Sequence, residues 1–149
     1  AGECGFEYLD GDQEDTEFFP NGKQWFQENK DQLRKAHKKI FEKTRDLISK
    51  EKNVVVDYII FGLYIEFFKM FQDEFGDNLE IKVLLPSKKE MIKRDKQREG
   101  WTTGADRIQA VYEELEDVKG EIGLANYLDT TNQSPQETFE EYFKDCFQS

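Results

Sequence analysis

The chain has 149 residues, the length of one domain with one hydrophobic core. It carries 21 Lys and Arg against 32 Asp and Glu, a formal net charge of -11, which disfavours binding to nucleic acid or to an anionic membrane. Its 13 Phe, 6 Tyr and 2 Trp supply large apolar side chains, so we expect a folded core.

The chain opens with a short β-favouring run over residues 6–9. Asp10, Gly11 and Asp12 follow directly and form a turn signal. The acidic stretch over residues 13–21 then indicates an exposed loop. The first segment is therefore predicted to be a strand that ends in a carboxylate-bearing turn.

A long amphipathic helix is predicted over residues 23–50, because apolar residues recur there at spacings of three and four. His37, the only histidine, lies among lysines and is predicted to be a solvated helix residue. Residues 54–60 form an almost continuous β-branched run, typical of a parallel strand that is buried on both faces. Asp57 interrupts that run, where a carboxylate is costly unless it is paired or bound to a cation.

Helical spacing returns over residues 63–75, and the next strand is predicted over residues 80–85. Pro86 ends that strand. Ser87 is placed to cap a helix that runs to Arg98.

Glycines interrupt the helical pattern over residues 100–104, and the pattern resumes over residues 105–119. A last short strand is predicted over residues 126–128, followed by a loop over residues 129–133. The sequence Ser-Pro-Gln-Glu from Ser134 has the features of a helix start, with a capping serine, proline at the first helical position and glutamate at the third.

Short apolar runs thus alternate with helical segments, which predicts a three-layer α/β fold with one mostly parallel sheet of four strands. Ligands of such sheets bind beyond the carboxyl ends of the strands. The small polar clusters lie at those ends: Asp10 and Asp12 after the first strand, Asp57 in the second, and residues 129–131 after the last.

The order of these motifs resembles small-molecule P-loop kinases, the group that includes gluconate kinase, chloramphenicol phosphotransferase and the kinase domain of polynucleotide kinase. The segments that carry the resemblance are Tyr-Leu-Asp-Gly-Asp at residues 8–12, Val-Val-Val-Asp at 54–57, Val-Leu-Leu-Pro-Ser at 83–87 and Leu-Asp-Thr-Thr at 128–131. The resemblance covers nearly the whole chain as a single P-loop NTPase-like domain, with a lid over about residues 94–107.

The resemblance implies a role for each carboxylate. Asp10 or Asp12 would act on the substrate hydroxyl, and Asp57 would organise Mg²⁺. A carboxylate near an acceptor hydroxyl can take its proton, and phosphoryl transfer depends mostly on positioning and charge neutralisation.

The resemblance also implies which residues would bind ATP. Arg94 and Arg98 in the lid would grip its phosphates, with Arg107 a weaker candidate, because the guanidinium fork suits phosphate oxygens. Thr130 and Thr131 are candidates for cofactor binding, since the loop after the last strand would pass near the base of the nucleotide.

One departure from the family matters: the sequence contains no G-x-x-x-x-G-K-[ST], the loop that holds the phosphates and Mg²⁺. We therefore expect the body of an ATP-dependent kinase for a small hydroxyl-bearing substrate, without its first strand and P-loop and inactive as given. The alternatives are a pseudo-kinase that serves as a binding or regulatory module, and a sheet that closed over the gap and has no nucleotide role.

The remaining expectations concern location and cysteine chemistry. Residues 54–71, the longest apolar region, contain charged residues that argue against a membrane span, so a cytosolic protein is expected. Cys4 and Cys146 have no C-x-x-C spacing and are predicted to be inert thiols.

Overall fold

The computed structural model describes residues 5–60 and 62–145, and the chain divides into two compact units. The first unit is Ala1–Gly76 and the second is Asp77–Ser149. Each has its own pair of parallel strands. The single domain and its lid stay predictions. Cys4 and Cys146 lie outside the described residues.

Two parallel strands, β1 (Glu7–Asp10) and β2 (Val54–Asp57), form the sheet of the first unit. Their register pairs Glu7 with Val54 and Asp10 with Asp57, so the strands end side by side. Parallel strands need a long crossover connection, and the intervening chain contains a long helix. This register brings two carboxylate-bearing residues to one edge of the sheet.

Three helices complete the first unit: α1 (Gly11–Glu14), α2 (Lys30–Ser49) and α3 (Tyr64–Phe75). The buried residues of α2 recur every three or four positions: Leu33, Ala36, His37, Ile40 and Thr44. The predicted exposed loop over residues 13–21 is wrong in part, because it contains the second half of α1 and a 3-10 turn at Thr16–Phe18. Its Phe19 is buried in the core beside Leu33 and Leu63.

The second unit has a shorter pair of parallel strands, β3 (Val83–Leu84) and β4 (Tyr127–Leu128). The Leu85 amide extends the pairing by donating to the Leu128 carbonyl at 2.9 Å. Four helices accompany these strands: α4 (Lys88–Gln97), α5 (Ala105–Asp117), α6 (Lys119–Ile122) and α7 (Pro135–Tyr142).

The predicted starts of two helices in this unit are confirmed. The Ser87 hydroxyl accepts a hydrogen bond from the Glu90 amide and caps α4. Ser134 and Glu137 form a complete capping box at the start of α7. These starts depend on side chains within four residues of each other, so local sequence specifies them.

The predicted three-layer, P-loop NTPase-like fold with one mostly parallel sheet is wrong. The described strands form two separate two-stranded sheets, and helices make up most of the remaining regular structure. The strand predicted over residues 54–60 ends at Asp57, and the strand predicted over residues 80–85 shortens to Val83–Leu84. Such short strands form few inter-strand hydrogen bonds. Val54, Val55 and Val56 are only half-buried. An apolar run in the sequence was therefore not sufficient to predict a central strand of a larger sheet.

Across residues 5–60 and 62–145, no helix combines the length and the apolar character that crossing a membrane requires.

Candidate functional site

A turn rich in carboxylates lies where β1 ends; residues 10–15 are called the acidic turn below. Asp10 is the last residue of β1 and the N-cap of α1, and its Oδ1 accepts from the amides of Asp12 at 3.0 Å and Gln13 at 3.2 Å. Aspartate is a preferred N-cap because its carboxylate satisfies amides that have no partner inside the helix. The Asp10 side chain therefore holds the turn that presents Asp12.

Gly11 allows the acidic turn to pack against β2. A Cβ atom built on Gly11 would lie 2.2 Å from Cδ2 of Tyr58, far inside van der Waals contact. Tyr58 follows β2 directly, so its ring packs against the first residue of α1. Glycine is required here by this close approach.

Asp57 lies beside the acidic turn, because the register pairs it with Asp10. The Tyr8 hydroxyl donates to Asp57 Oδ2 at 3.1 Å. Tyr8 and Asp57 are both exposed, so this pair lies at the surface of the unit. The structure thus brings together the three predicted carboxylates Asp10, Asp12 and Asp57.

Asp12 differs from its neighbours because its carboxylate makes no hydrogen bond to the described residues. Partial burial raises the pKa of Asp12 to about 6, and repulsion from Asp15, Asp10 and Asp57 adds to this rise. The residue nevertheless remains exposed. Asp12 is therefore a solvent-accessible carboxylate that gains and loses its proton near neutral pH.

A hydrogen bond between Tyr58 and Asp15 stabilises the end of the acidic turn. Asp15 is fully buried, and the Tyr58 hydroxyl donates to its Oδ2 at 3.0 Å. Burial raises the pKa of Asp15, whereas hydrogen bonds from Tyr58 and Gln24 act in the opposite direction. Burial also raises the pKa of Tyr58, so its hydroxyl stays protonated and serves as a donor.

The prediction that His37 is a solvated residue is wrong, because only 3% of it is exposed. Its ring packs edge-on against the rings of Tyr58 and Phe67, at centroid distances of 5.6 and 4.8 Å. Burial lowers the pKa of His37 to about 4, so the imidazole is neutral at pH 7. The signal that could have found it is its spacing, since His37 lies four residues after Leu33 and three before Ile40 on the buried face of α2.

The described residues, 5–60 and 62–145, contain no group of three or more His, Cys, Asp or Glu side chains arranged to hold a metal ion. Magnesium often takes only one or two protein carboxylates and otherwise binds water and phosphates. Asp57 nevertheless already accepts from Tyr8, and no lysine-bearing phosphate loop exists in the sequence. The residues present therefore do not fit Mg-ATP by themselves, and the metal role of Asp57 stays a prediction.

The predicted phosphate ligands belong to the second unit. The Arg94 guanidinium donates to Glu90 Oε1 at 3.0 Å and to the carbonyl of Thr130 at 2.8 Å. It also reaches the carbonyls of Thr131 and Gln133, both at 3.3 Å. Arg94 thus anchors the loop that follows β4, a function that sequence reasoning did not assign to it.

The other predicted cofactor residues occupy different environments. Arg98 lies over the ring of Trp101 at 4.3 Å, and Arg107 is partly buried on α5. Thr130 is buried, whereas the Thr131 hydroxyl donates to Asp129 and accepts from the Ser87 amide. The predicted convergence of Arg94 and Arg98 with the aspartates on one cleft stays a prediction.

Asp95 is a buried carboxylate that sequence reasoning missed. It accepts from the amides of Thr103 at 2.7 Å and Gly104 at 3.0 Å, and these bonds hold its pKa below the usual value. Asp95 thereby closes the segment between α4 and α5, which corresponds to about half of the predicted lid. The local signal was weak, because the two amides lie eight and nine residues away.

A cavity of about 290 Å³ lies at the carboxyl ends of β3 and β4 in the second unit. Leu85 and Leu128 line it with apolar surface, and Ser87, Lys119 and Asp129 add polar groups. Its position agrees with the general preference of ligands for the carboxyl ends of parallel strands.

Comparison of the chain with protein-family models, with curated proteins and with solved structures finds no match.

Proposed function

We propose that the chain forms the acceptor-activating part of a phosphotransferase that acts on a small hydroxyl-bearing substrate, with Asp12 as the general base. The observation that carries this proposal is the contrast among the carboxylates at the end of the β1 and β2 pair. Asp10 caps α1, Asp15 accepts from Tyr58 and Asp57 accepts from Tyr8. Asp12 has no such contact, is exposed and ionises near neutral pH.

A general base works best when its pKa lies near the working pH, because it must be ionised and still bind the proton. Asp12 meets both conditions with a pKa of about 6. As the hydroxyl oxygen of the substrate becomes the nucleophile, its proton passes to Asp12. Asp10 keeps the turn in place during this step through its hydrogen bonds to two amides.

ATP as the phosphoryl donor is proposed from the resemblance alone. The acceptor side depends only on residues of the first unit, so it can be tested without the donor. Carboxyl ¹³C NMR of the chain, titrated with a sugar acid, an amino alcohol and a nucleoside, gives the pKa of Asp12 directly. A hydroxyl that donates to ionised Asp12 stabilises the charge, so we expect a bound acceptor to lower this pKa by about one unit.

Asp73 provides a matched control, because it is an exposed aspartate on α3. Its carbon signal should not respond to the acceptor. If none of the three compounds shifts the pKa of Asp12, or if the pKa of Asp73 shifts by as much, the acceptor site is not where we place it.

Phosphoryl transfer itself is tested with the full chain, the acceptor that shifts the pKa of Asp12, and excess Mg-ATP. We expect Asp12→Asn to slow transfer by about 10²- to 10⁴-fold, the usual contribution of a general base. Asp73→Asn should leave the rate unchanged. Equal rates in the wild type and Asp12→Asn would refute the role of Asp12.

A non-catalytic binding module is the second candidate, and Arg94 favours it. Its Nε and Nη2 make four contacts to Glu90 and to loop carbonyls, which leaves fewer donors for a phosphate. The cavity beside β3 and β4 would then be the ligand site. Acceptor binding without any transfer from excess Mg-ATP would support this second function.

A further inference from the structure

We propose that Tyr58 is a positioning residue for Asp12: its ring holds the start of α1 at Gly11, and its hydroxyl holds the end of α1 through Asp15. The inference rests on the proposed function, because Asp12 is the group that is positioned. Tyr58 would act through the acidic turn, and it needs no contact with the substrate.

The ring of Tyr58 holds the start of the turn by close packing. Its Cδ2 and Cγ atoms lie 2.2 and 2.3 Å from the position that a Cβ on Gly11 would occupy, and the Cβ of Tyr58 lies 2.5 Å from it. On its other sides the ring meets His37 of α2 and Phe67 of α3, at centroid distances of 5.6 and 5.8 Å. Two helices therefore keep the ring against Gly11.

The hydroxyl of Tyr58 holds the end of the turn. It donates to Asp15 Oδ2 at 3.0 Å, and the Asp15 amide donates to the Gly11 carbonyl at 3.0 Å. One side chain thus contacts the residue before Asp12 and the residue three positions after it. From the α2 side, Lys39 Nζ donates to the Glu14 carbonyl at 3.0 Å, which fixes the same short helix.

The same contacts control the charge that Asp12 experiences. After burial, ionised Asp15 is the strongest influence that raises the pKa of Asp12. The Tyr58 hydroxyl stabilises that ionised form. The titratable and charged groups that face these two carboxylates come from β1, β2, α2 and the segment after β2: Asp10, Tyr8, Asp57, Lys39 and Tyr58.

The decisive variant is Tyr58→Phe, which removes the hydroxyl and keeps the ring. Asp15 then loses a donor and ionises less readily, so its pKa should rise by about one unit. Because a neutral Asp15 repels Asp12 less, the pKa of Asp12 should fall by about half a unit. Carboxyl ¹³C NMR of the full chain measures both values and needs no substrate, so a failed acceptor titration cannot imitate this result.

Tyr8→Phe is the matched control, because it removes a hydroxyl from Asp57, the weakest of the three charges acting on Asp12. Tyr8→Phe should change the pKa of Asp12 less than Tyr58→Phe does. Tyr58→Leu tests the ring, and hydrogen exchange of the Asp12 amide should become at least about ten-fold faster as the turn opens. An unchanged or increased pKa of Asp12 in Tyr58→Phe would overturn the proposal, whether or not Tyr58→Leu folds.

Discussion

Gly11→Ala should destabilise the first unit, although alanine usually favours a helix over glycine. The added Cβ would lie 2.2 Å from Tyr58, more than 1 Å inside the 3.4 Å at which ordinary contact begins. His37 and Phe67 pack against the ring and limit its retreat. Overpacking of this kind costs about 1–3 kcal/mol, and the gain in helix propensity offsets at most about 1 kcal/mol.

We therefore expect a net loss of about 1–2 kcal/mol, which lowers the urea midpoint by about 0.5–1 M. Trp25 reports on the first unit alone in a Trp101→Phe background, because these are the only two tryptophans. Gly120→Ala on α6 is the control, since nothing lies within 4 Å of its added Cβ. It is followed through Trp101 in a Trp25→Phe background and should cost nothing. A Gly11→Ala chain as stable as the wild type would refute the packing argument.

Four further predictions concern the titration of His37 and Asp12, the hydrogen bonds of Asp95 and the binding of Mg-ATP. The pKa of His37 is 6.5 in the unfolded chain and about 4 in the folded chain, so the unfolded state binds more protons between these values. The free energy of unfolding should therefore fall by about 3 kcal/mol as pH drops from 7 to 4. His37→Phe should remove this contribution in urea titrations. The folded pKa of Asp12 is raised, so its ionisation lowers stability as pH rises from 3.8 to about 6. Asp12→Asn should therefore raise the free energy of unfolding, measured by urea titration, by less than about 1 kcal/mol at pH 7.5 given the exposure of Asp12, and should leave it unchanged at pH 3.5. Asp95→Ala leaves two loop amides without their acceptor and should cost about 1–3 kcal/mol, read from the urea midpoint of Trp101 fluorescence. Calorimetry of the 149-residue chain with Mg-ATP should give a dissociation constant of about 1 mM or weaker, and a low micromolar value would reveal a phosphate site that the sequence pattern lacks.

Local signals in the sequence predicted the starts of α3, α4, α5 and α7 well, whereas α2 begins at Lys30, seven residues after its predicted start. Ser87 and Ser134 cap the helices that follow them, and α3 extends over nearly the predicted range. The starts of β1 and β2 also lie within one residue of the predictions. Caps and periodicity involve residues a few positions apart, so a single sequence is sufficient to predict where these helices begin.

The assembly of the strands could not be predicted in this way. An apolar run indicates that a segment can pair, but its partner is decided by contacts far along the chain. Val54 to Ile60 has the composition of a central strand, yet pairing stops at Asp57. The segment before β3 behaves similarly, because Glu80 and Lys82 form an ion pair at 2.7 Å outside the strand. The predicted strands were too long because the charged residues near the ends of the apolar runs were not taken as strand boundaries.

The candidate site shows the same division between local and distant information. The prediction placed Asp10 after the first strand and Asp57 inside the second, and the two residues pair because β2 ends at Asp57. Asp15 and His37 were missed because their burial depends on Tyr58 and on packing between α2 and α3. Tertiary contacts therefore decide which polar residues support the site from inside.

The contrast between Asp12 and its neighbours also separates the carboxylate that we propose to act on the substrate from those that stabilise the fold. Removal of the Asp10 carboxylate would leave two amides of α1 unsatisfied, and removal of the Asp15 carboxylate would leave the buried Tyr58 hydroxyl without its acceptor. Removal of the Asp12 charge breaks no hydrogen bond and relieves repulsion from Asp15, Asp10 and Asp57. The fold therefore has no need of a charge at position 12 and is slightly less stable with it. An exposed carboxylate that opposes stability at the end of a strand, with a pKa close to neutral, has the properties expected of the general base that we propose.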